Sequence, residues 1–436
     1  MGPNDPISQS GGVQDGDNVD TPVEPTPSAA PEPEQSPAPS VPAEQPKVAD
    51  VIQPAMDNLP PEDKPSTPNV VLPPAGSKSK SKKKWLLVLV IVLVVLVGAG
   101  SWWLVSKNNK PANTANTSGA GIRIGLSMAT LSIARWPNEQ SIMEKDAAAV
   151  GATVVAYNAN NNTNTQISQI ENLIAQKVNV IVVNAVDANL IAPVIASASQ
   201  AGIKVIAYDR LIDGAGTTVY ISFSSYKVGQ DWANYIVSAL PASLKIANVA
   251  FLDGASTDNN STLLRNGVMS VFDPLVKSGK IDLVFNQNIA NWDPSVAYTT
   301  FQADVATGTR IDAVIGGNDE LANSAIEVLQ SEGLAGKIPV VGQDGELGAI
   351  QRIENGTQML TVYKPGYDEA NLAIKDAIAL AKGQSIQSNT VTNNGTVNVP
   401  SYLFDPIPVT KANVNSVIIK GGVYTSKQIF GSTSTT

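Results

Sequence analysis

The sequence predicts an α/β protein. Two similar lobes, each built on a doubly wound parallel sheet, face each other across a ligand cleft, preceded by one transmembrane helix and a disordered tail. Three observations carry this. From Gly121 onward, short β-branched apolar runs alternate with amphipathic stretches, the pattern of βαβ crossovers on a sheet covered on both faces. The pattern restarts near Tyr226, so there are two such halves. Ahead of them, Trp85 to Val105 is a 21-residue run without a charge, long enough to cross a bilayer as a helix.

Residues 1–77 hold 18 of the 29 prolines, no aromatic residue, and twelve acids against two lysines. Such a segment cannot bury enough apolar surface to offset its ordering entropy, so a disordered, Pro-rich, acidic tail is expected. Residues 78–84 add five lysines. Trp85 and the Trp102–Trp103 pair stand at the two ends of the apolar run, where an aromatic belt lies. The lysine excess on the N-terminal side places residues 1–84 in the cytoplasm and the chain beyond about 106 outside: a single-pass protein of the cell membrane with an extracytoplasmic domain. A cleaved signal peptide, with Leu86 to Val97 as its apolar region and a cut near residues 97–100, would need a leader of 84 residues, far longer than usual. Residues 106–120 read as a polar linker.

In the first half, strands are expected at Ile122–Met128, Thr153–Asn158, Val178–Val183, Ile203–Asp209 and Val219–Phe223. Between them lie helices from Arg135 to about Val150, after the capping residues Asn161 to Thr165, and over about 187–200. The second half repeats the plan. Helices are expected over Tyr226–Leu240 and about 259–278, 295–307 and 320–332, with strands at Ile246–Leu252, Leu283–Asn288, Ala313–Gly316, Val340–Gly342 and Met359–Tyr363. A last helix runs from Asp368 to Lys382. The lobes divide at about 121–225 with 365–395, and 226–364 with 396–436.

Composition removes several chemistries. The chain has no Cys and no His, so disulfides, thiolate metal sites, His-ligated zinc and a Ser-His-Asp triad are all excluded. Net charge is −9 overall and, with −10 in residues 1–77 and +5 in 78–84, about −4 after residue 84, which does not favour nucleic acid. Lys337 after Gly336 is followed by Ile338, so no Walker loop forms, and no Gly-x-Gly-x-x-Gly opens the first helix. No cofactor and no metal is expected.

The polar residues gather at strand ends. The run Ile203-Lys-Val-Ile-Ala-Tyr ends in Asp209 and Arg210, and similar ends occur at Asn318–Asp319 and Asp344. In an open α/β sheet the carboxyl ends of strands face the ligand crevice. With Arg135, Trp136, Asp258, Asn259, Asn260, Trp292 and Lys364 they form a set suited to a small polyhydroxylated molecule. Carboxylates accept, Arg and Lys donate, Asn does both, and an indole covers the C–H face of a sugar ring. Singly, each has a plainer reading. Asp209 and Arg210 equally suit mutual pairing or a helix cap, Asn259 and Asn260 read as N-caps, either Trp as packing, and Asp344 before Gly345 as a turn.

Several peptides occur in order over about 300 residues: Arg135-Trp136, AYDRLI at 207–212, YISF and KVG within 220–229, DNN at 258–260, NW at 291–292, GGND at 316–319, GQD at 342–344 and TVYKP at 361–365. On these, residues 121 to about 425 closely resemble the type I periplasmic sugar-binding proteins, in particular the D-xylose-binding proteins of ABC importers. The resemblance implies two lobes joined by three crossings around the sugar. It implies that Arg135, Asp209 and Arg210 from one lobe and Asn260, Asn318, Asp344 and Lys364 from the other bind hydroxyls, with Trp136 and Trp292 sandwiching the ring. Asp258, Asn259 and Asp319 are lesser candidates. Two stretches depart from the pattern: Met128-Ala-Thr-Leu-Ser132 stands where relatives carry an acidic pair, and Ser224-Ser225 where an acidic-amide pair is usual.

The expected function is a non-enzymatic, monomeric receptor for a monosaccharide, D-xylose or a similar pentose or aldose, handing it to an ABC permease by cleft closure. Two alternatives stand beside it: a membrane sensor signalling through the N-terminal tail, and a glycosidase using Asp209 and Asp344 as its acid/base pair.

Overall fold

The computed structural model describes residues 119–431, and these form two α/β lobes. The expected tail (1–77), lysine flank (78–84), transmembrane helix (85–105) and most of the linker lie outside the described residues. Among the described residues no helix is long and apolar enough to cross a membrane.

The first sheet has seven strands in the order β11-β12-β5-β4-β3-β1-β2. They are β1 (Arg123–Met128), β2 (Thr153–Asn158), β3 (Val180–Val183), β4 (Lys204–Tyr208), β5 (Val219–Phe223), β11 (Thr390–Asn393) and β12 (Asn398–Phe404). All of β3 and β5 is buried, as β-branched runs under helices on both faces should be. The helices are α1 (Arg135–Ala149), α2 (Thr163–Ala175) and α3 (Ala192–Gln200). Asn162 caps α2, its side chain accepting from the Thr165 amide.

The second sheet has six strands in the order β13-β10-β9-β8-β6-β7. They are β6 (Ala247–Asp253), β7 (Ile281–Asn288), β8 (Ala313–Gly316), β9 (Val340–Asp344), β10 (Leu360–Tyr363) and β13 (Ile407–Val409). Around them lie α4 (Ser225–Ala239), α5 (Asn259–Lys277), α6 (Pro294–Val305), α7 (Asp319–Ser331) and α8 (Leu347–Asn355). In both sheets the first strand sits inside the second, so the strand order reverses beside it and opens a crevice at the carboxyl ends. The α4 and α5 helices pack backbone to backbone. A Cβ on Gly229 would lie 2.0 Å from the Leu264 carbonyl oxygen, and one on Gly267 2.0 Å from that of Tyr226.

The chain crosses between lobes three times: from β5 to α4 at Ser224, from β10 to α9 (Gly366–Ala381) at Lys364–Pro365, and from β12 to β13 at Asp405–Pro406. The α9 helix returns to pack on α1, β3 and β4. Three features differ from expectation. Residues 398–404 do not join the second lobe at 396; β12 pairs in parallel with β5, Ser401 opposite Tyr220, so the last crossing comes about ten residues later. Each sheet also carries one antiparallel pair, β11 with β12 and β10 with β13, where parallel pairing alone was read. Of these late strands β11 and β13 are short and β12 carries Asn398 and Pro400, and only tertiary pairing makes them strands. Finally, α8 was not expected; it ends at Gly356, whose φ of 85° only glycine adopts freely.

Candidate functional site

Between the lobes lies a cleft lined by residues of both. It is built from the loops that follow the strands. At the end of β4 the chain turns sharply, with Asp209 in the left-handed region (φ 60°). Its carbonyl accepts from Tyr220 Oη (3.1 Å), Ser222 Oγ (2.8 Å) and Asn260 Nδ2 (3.1 Å). Trp292 (φ 57°) and Asp344 (φ 98°) are likewise left-handed. Such backbone is costly for a residue with a Cβ and persists where surrounding contacts over-determine it. Three of the cleft-lining side chains are therefore held by strained backbone.

Arg135 opens α1 and is the hub of the first lobe. Its Nε donates to Glu139 Oε1 (2.6 Å), Nη1 to Asp209 Oδ1 (3.0 Å) and Nη2 to Glu369 Oε2 (2.6 Å). Asp344 Oδ1, from the second lobe, lies 3.8 Å from Nη1. Burial alone would lower the Arg135 pKa, but the four carboxylates outweigh it and hold the guanidinium well above its usual value. Burial pushes Glu139 up, against the pull of Arg135, and pushes Glu369 well above the carboxylate range. Tyr208 hydroxyl donates to Glu139 Oε2, and a Cβ on Gly366 would lie 2.2 Å from Glu139 Oε1, so only glycine fits at that crossing.

Two buried ion pairs complete the polar wall. Arg210 Nε approaches Asp258 Oδ2 at 2.8 Å, an ion pair whose N–H is not aligned as a hydrogen bond, while Arg210 Nη1 donates to the Ala185 carbonyl (2.8 Å). Burial raises the Asp258 pKa, opposed by Arg210. Lys364, on the second crossing, places Nζ 3.3 Å from Asp344 Oδ1. Asn260 Nδ2 donates to Asp209 Oδ2 (3.0 Å), so the Asp209–Asn260 and Arg210–Asp258 contacts join one lobe to the other. The lobes are thus closed on each other. Of the indoles, Trp136 lies edge-on to Tyr208 with ring centroids 6.4 Å apart and Arg135 Cζ 4.3 Å from its ring. Trp292 Nε1 donates to Asp258 Oδ2 (3.2 Å), and Gly254 makes room for its ring, since a Cβ there would lie 2.1 Å from it.

Arg135, Trp136, Asp209, Arg210, Asp258, Asn260, Trp292, Asn318, Asp344 and Lys364 all line this cleft. Two residues of the expected set do not. Asn259 is simply the first residue of α5, behind the cap that Asp258 makes to the Asn260 amide. Asp319 is buried beneath the cleft, where its Oδ2 accepts from the amides of Gly345 (3.0 Å) and Glu346 (3.1 Å) and from Thr361 Oγ1 (2.7 Å). Its Oδ1 accepts from Gln358 Nε2 (2.7 Å). It therefore braces the loop that carries Asp344. Burial pushes Asp319 up to about 7, against these hydrogen bonds, and pushes neighbouring Glu346 up to about 9.

Ile133 and Gln343 line the cleft without having been singled out, and Glu139 and Glu369 hold Arg135. Glu139 was findable, because it stands one helical turn after Arg135. Gln343 lies inside the GQD motif at a strand end. Nothing local marks Ile133 or Glu369. Among the described residues no cluster of three or more metal-ligating side chains forms.

Residues 124–385 match the family described as "Periplasmic binding protein domain". The chain is 41% identical over 310 residues to the D-xylose-binding periplasmic protein of Haemophilus influenzae, covering 71% of this chain and 92% of that one. It is 40% identical over 309 residues to the protein of the same name from Escherichia coli, with the same coverage of 71% and 92%. An ABC transporter solute-binding protein of Clostridium phytofermentans, solved with bound β-D-glucose, is similar in structure with a TM-score of 0.65 and 29% identity, covering 70% of this chain and 99% of that one. The glycosidase alternative falls with these findings, and Asp209 and Asp344 each face a cation in the closed cleft. The chain belongs to the periplasmic binding protein family, as a non-enzymatic, type I sugar-binding member.

Proposed function

We propose that this protein is an extracytoplasmic receptor for a monosaccharide, D-xylose or a similar pentose or aldose, which it delivers to an ABC importer. The observation that carries the reading is the closed cleft itself. Paired carboxylates and cations from both lobes converge on it, with two tryptophans in its lining. Mixed charge that is already internally paired suits a neutral polyol, whose hydroxyls both donate and accept. A phosphate would want net positive charge. The similarity to D-xylose-binding proteins supports a pentose, and the glucose held by the clostridial protein supports a wider aldose class.

In this reading Arg135, Asp209 and Arg210 bind hydroxyls from the first lobe, and Asn260, Asn318, Asp344 and Lys364 from the second lobe and hinge. Trp136 and Trp292 cover the ring faces, where indole offers apolar area at small entropic cost. Asp258 orients Arg210 and Trp292. Closure around the sugar shifts the population of the closed form, which the permease then reads. The protein acts as a monomer, tethered to the membrane by residues 85–105. The sensor alternative rests on the N-terminal tail and gains nothing from the described domain.

Isothermal titration of the protein with xylose, arabinose, ribose, glucose and galactose tests the proposal. Saturable one-to-one binding of an aldose is expected. No heat with any of the five would sink it, and would direct attention to the loop at residues 128–133.

A further inference from the structure

Gln343 is the penultimate residue of β9, next to Asp344, and lines the cleft while being 2% exposed. Its Nε2 donates to the Gly317 carbonyl at 2.7 Å. That bond decides which end of the amide is which. Turned over, the carboxamide oxygen would face the Gly317 oxygen, acceptor against acceptor. The Gly317 carbonyl is itself well placed, since its own amide donates to Leu252 at 2.7 Å. Oε1, at the other end, is buried and has no hydrogen-bond partner among the described residues.

A buried acceptor without a donor is uncommon and calls for a reason. The other side-chain acceptors of the cleft wall are engaged: the carboxylates face cations, Asp209 with Arg135, Asp258 with Arg210 and Asp344 with Lys364, and the amide oxygens of Asn260 and Asn318 accept from Ser225 Oγ and the Leu321 amide. Gln343 Oε1 differs from them in being oriented by the Gly317 bond and uncommitted. Nothing in the way the lobes pack supplies its donor, and a hydroxyl entering the cleft would.

We propose that Gln343 Oε1 accepts a hydrogen bond from one hydroxyl of the bound monosaccharide and so determines specificity at that carbon. The proposal rests on the monosaccharide reading above. Because Oε1 only accepts, the ligand hydroxyl must donate to it, which selects one epimer and rejects the deoxy compound. A site built around a hydrogen-bonding group discriminates strongly against a ligand lacking the partner, since the buried group is then left unpaired.

The test is a cycle on the full-length protein. Wild type and Gln343→Met, close in volume and without the amide, are titrated with the tightest-binding aldose and each of its monodeoxy analogues. With the parent sugar, Q343M is expected to bind roughly ten- to a hundredfold more weakly. With one deoxy analogue, the two proteins should agree within about threefold, because the partner hydroxyl is already gone. Equal binding of the parent sugar by both proteins overturns the proposal, as does a loss spread evenly over every analogue. A sugar-bound crystal structure of wild type reads the contact without any variant. A sugar hydroxyl within about 3.2 Å of Oε1 supports it, and a water or carbon there overturns it. If wild type takes up no monosaccharide at all, the receptor reading fails first and this inference with it.

Discussion

Arg135 Nη2 donates to Glu369 Oε2 at 2.6 Å, joining two residues 234 positions apart in sequence. The bond ties the first turn of α1 to the first turn of α9, the helix that returns from the second crossing. Lys364, five residues before Glu369, stands on Asp344, and Gly366 packs on Glu139. The second crossing is therefore wired directly to the arginine at the cleft.

Glu369→Ala should destabilise the domain by roughly 3–5 kcal/mol, since it leaves a buried guanidinium short of a partner. Glu369→Gln should cost much less, because the amide oxygen still accepts from Nη2. Chemical denaturation of the two variants checks this, and equal losses would show that packing rather than the Arg135 bond is what matters.

Asp209→Ala should weaken sugar binding by at least ~1–3 kcal/mol. The side chain holds Arg135 and Asn260 from opposite lobes, so its loss frees both. Titration calorimetry reads the affinity directly, and unchanged binding would remove Asp209 from the site.

Asp319→Ala should also weaken binding, although Asp319 does not line the cleft. Four donors lose an acceptor, and the loop that holds Asp344 at φ 98° loosens. Hydrogen exchange should show faster exchange at the Gly345 and Glu346 amides, together with an affinity loss of roughly tenfold. Wild-type protection at those amides would refute the brace.

Stability should fall as pH rises. Burial pushes Asp253 and Asp376 up to about 6, Asp319 to about 7 and Glu346 to about 9. Folded carboxyls with raised pKa hold protons more tightly than unfolded ones. Their stabilising contribution is full below the ordinary carboxylate range of about 4 and is lost as pH climbs through about 6 to 9. Melting temperature should be higher at pH 5 than at pH 8.5. The reverse order would mean that these groups are ionised in the fold throughout.

Much of the site was legible because its chemistry sits where chain grammar puts it. Asp209, Asn318 and Asp344 end strands, and Asp258 and Asn318 cap helices, so period-two and period-3.6 patterns locate them without a structure. Asn318 shows both readings at once: its side chain caps α7 by accepting from the Leu321 amide at 2.9 Å, and it lines the cleft. Asp319 next door was grouped with it, yet one residue along the first turn of α7 points down rather than across. That difference of roughly 100° around a helix axis lies beyond what strand-end position alone can tell.

By itself the sequence determined the two α/β halves, the order of strands and helices from β1 to α9 apart from α8, and the pool of polar residues at strand ends, because these follow from local periodicity, capping and burial pattern. Tertiary structure alone decided where the last crossing falls, that β12 joins β5, and that Glu369 meets Arg135. It also decided which amide oxygen is left without a donor in the cleft. Such pairings link residues far apart in the chain, and no local pattern encodes which distant partner will fill a given hydrogen bond.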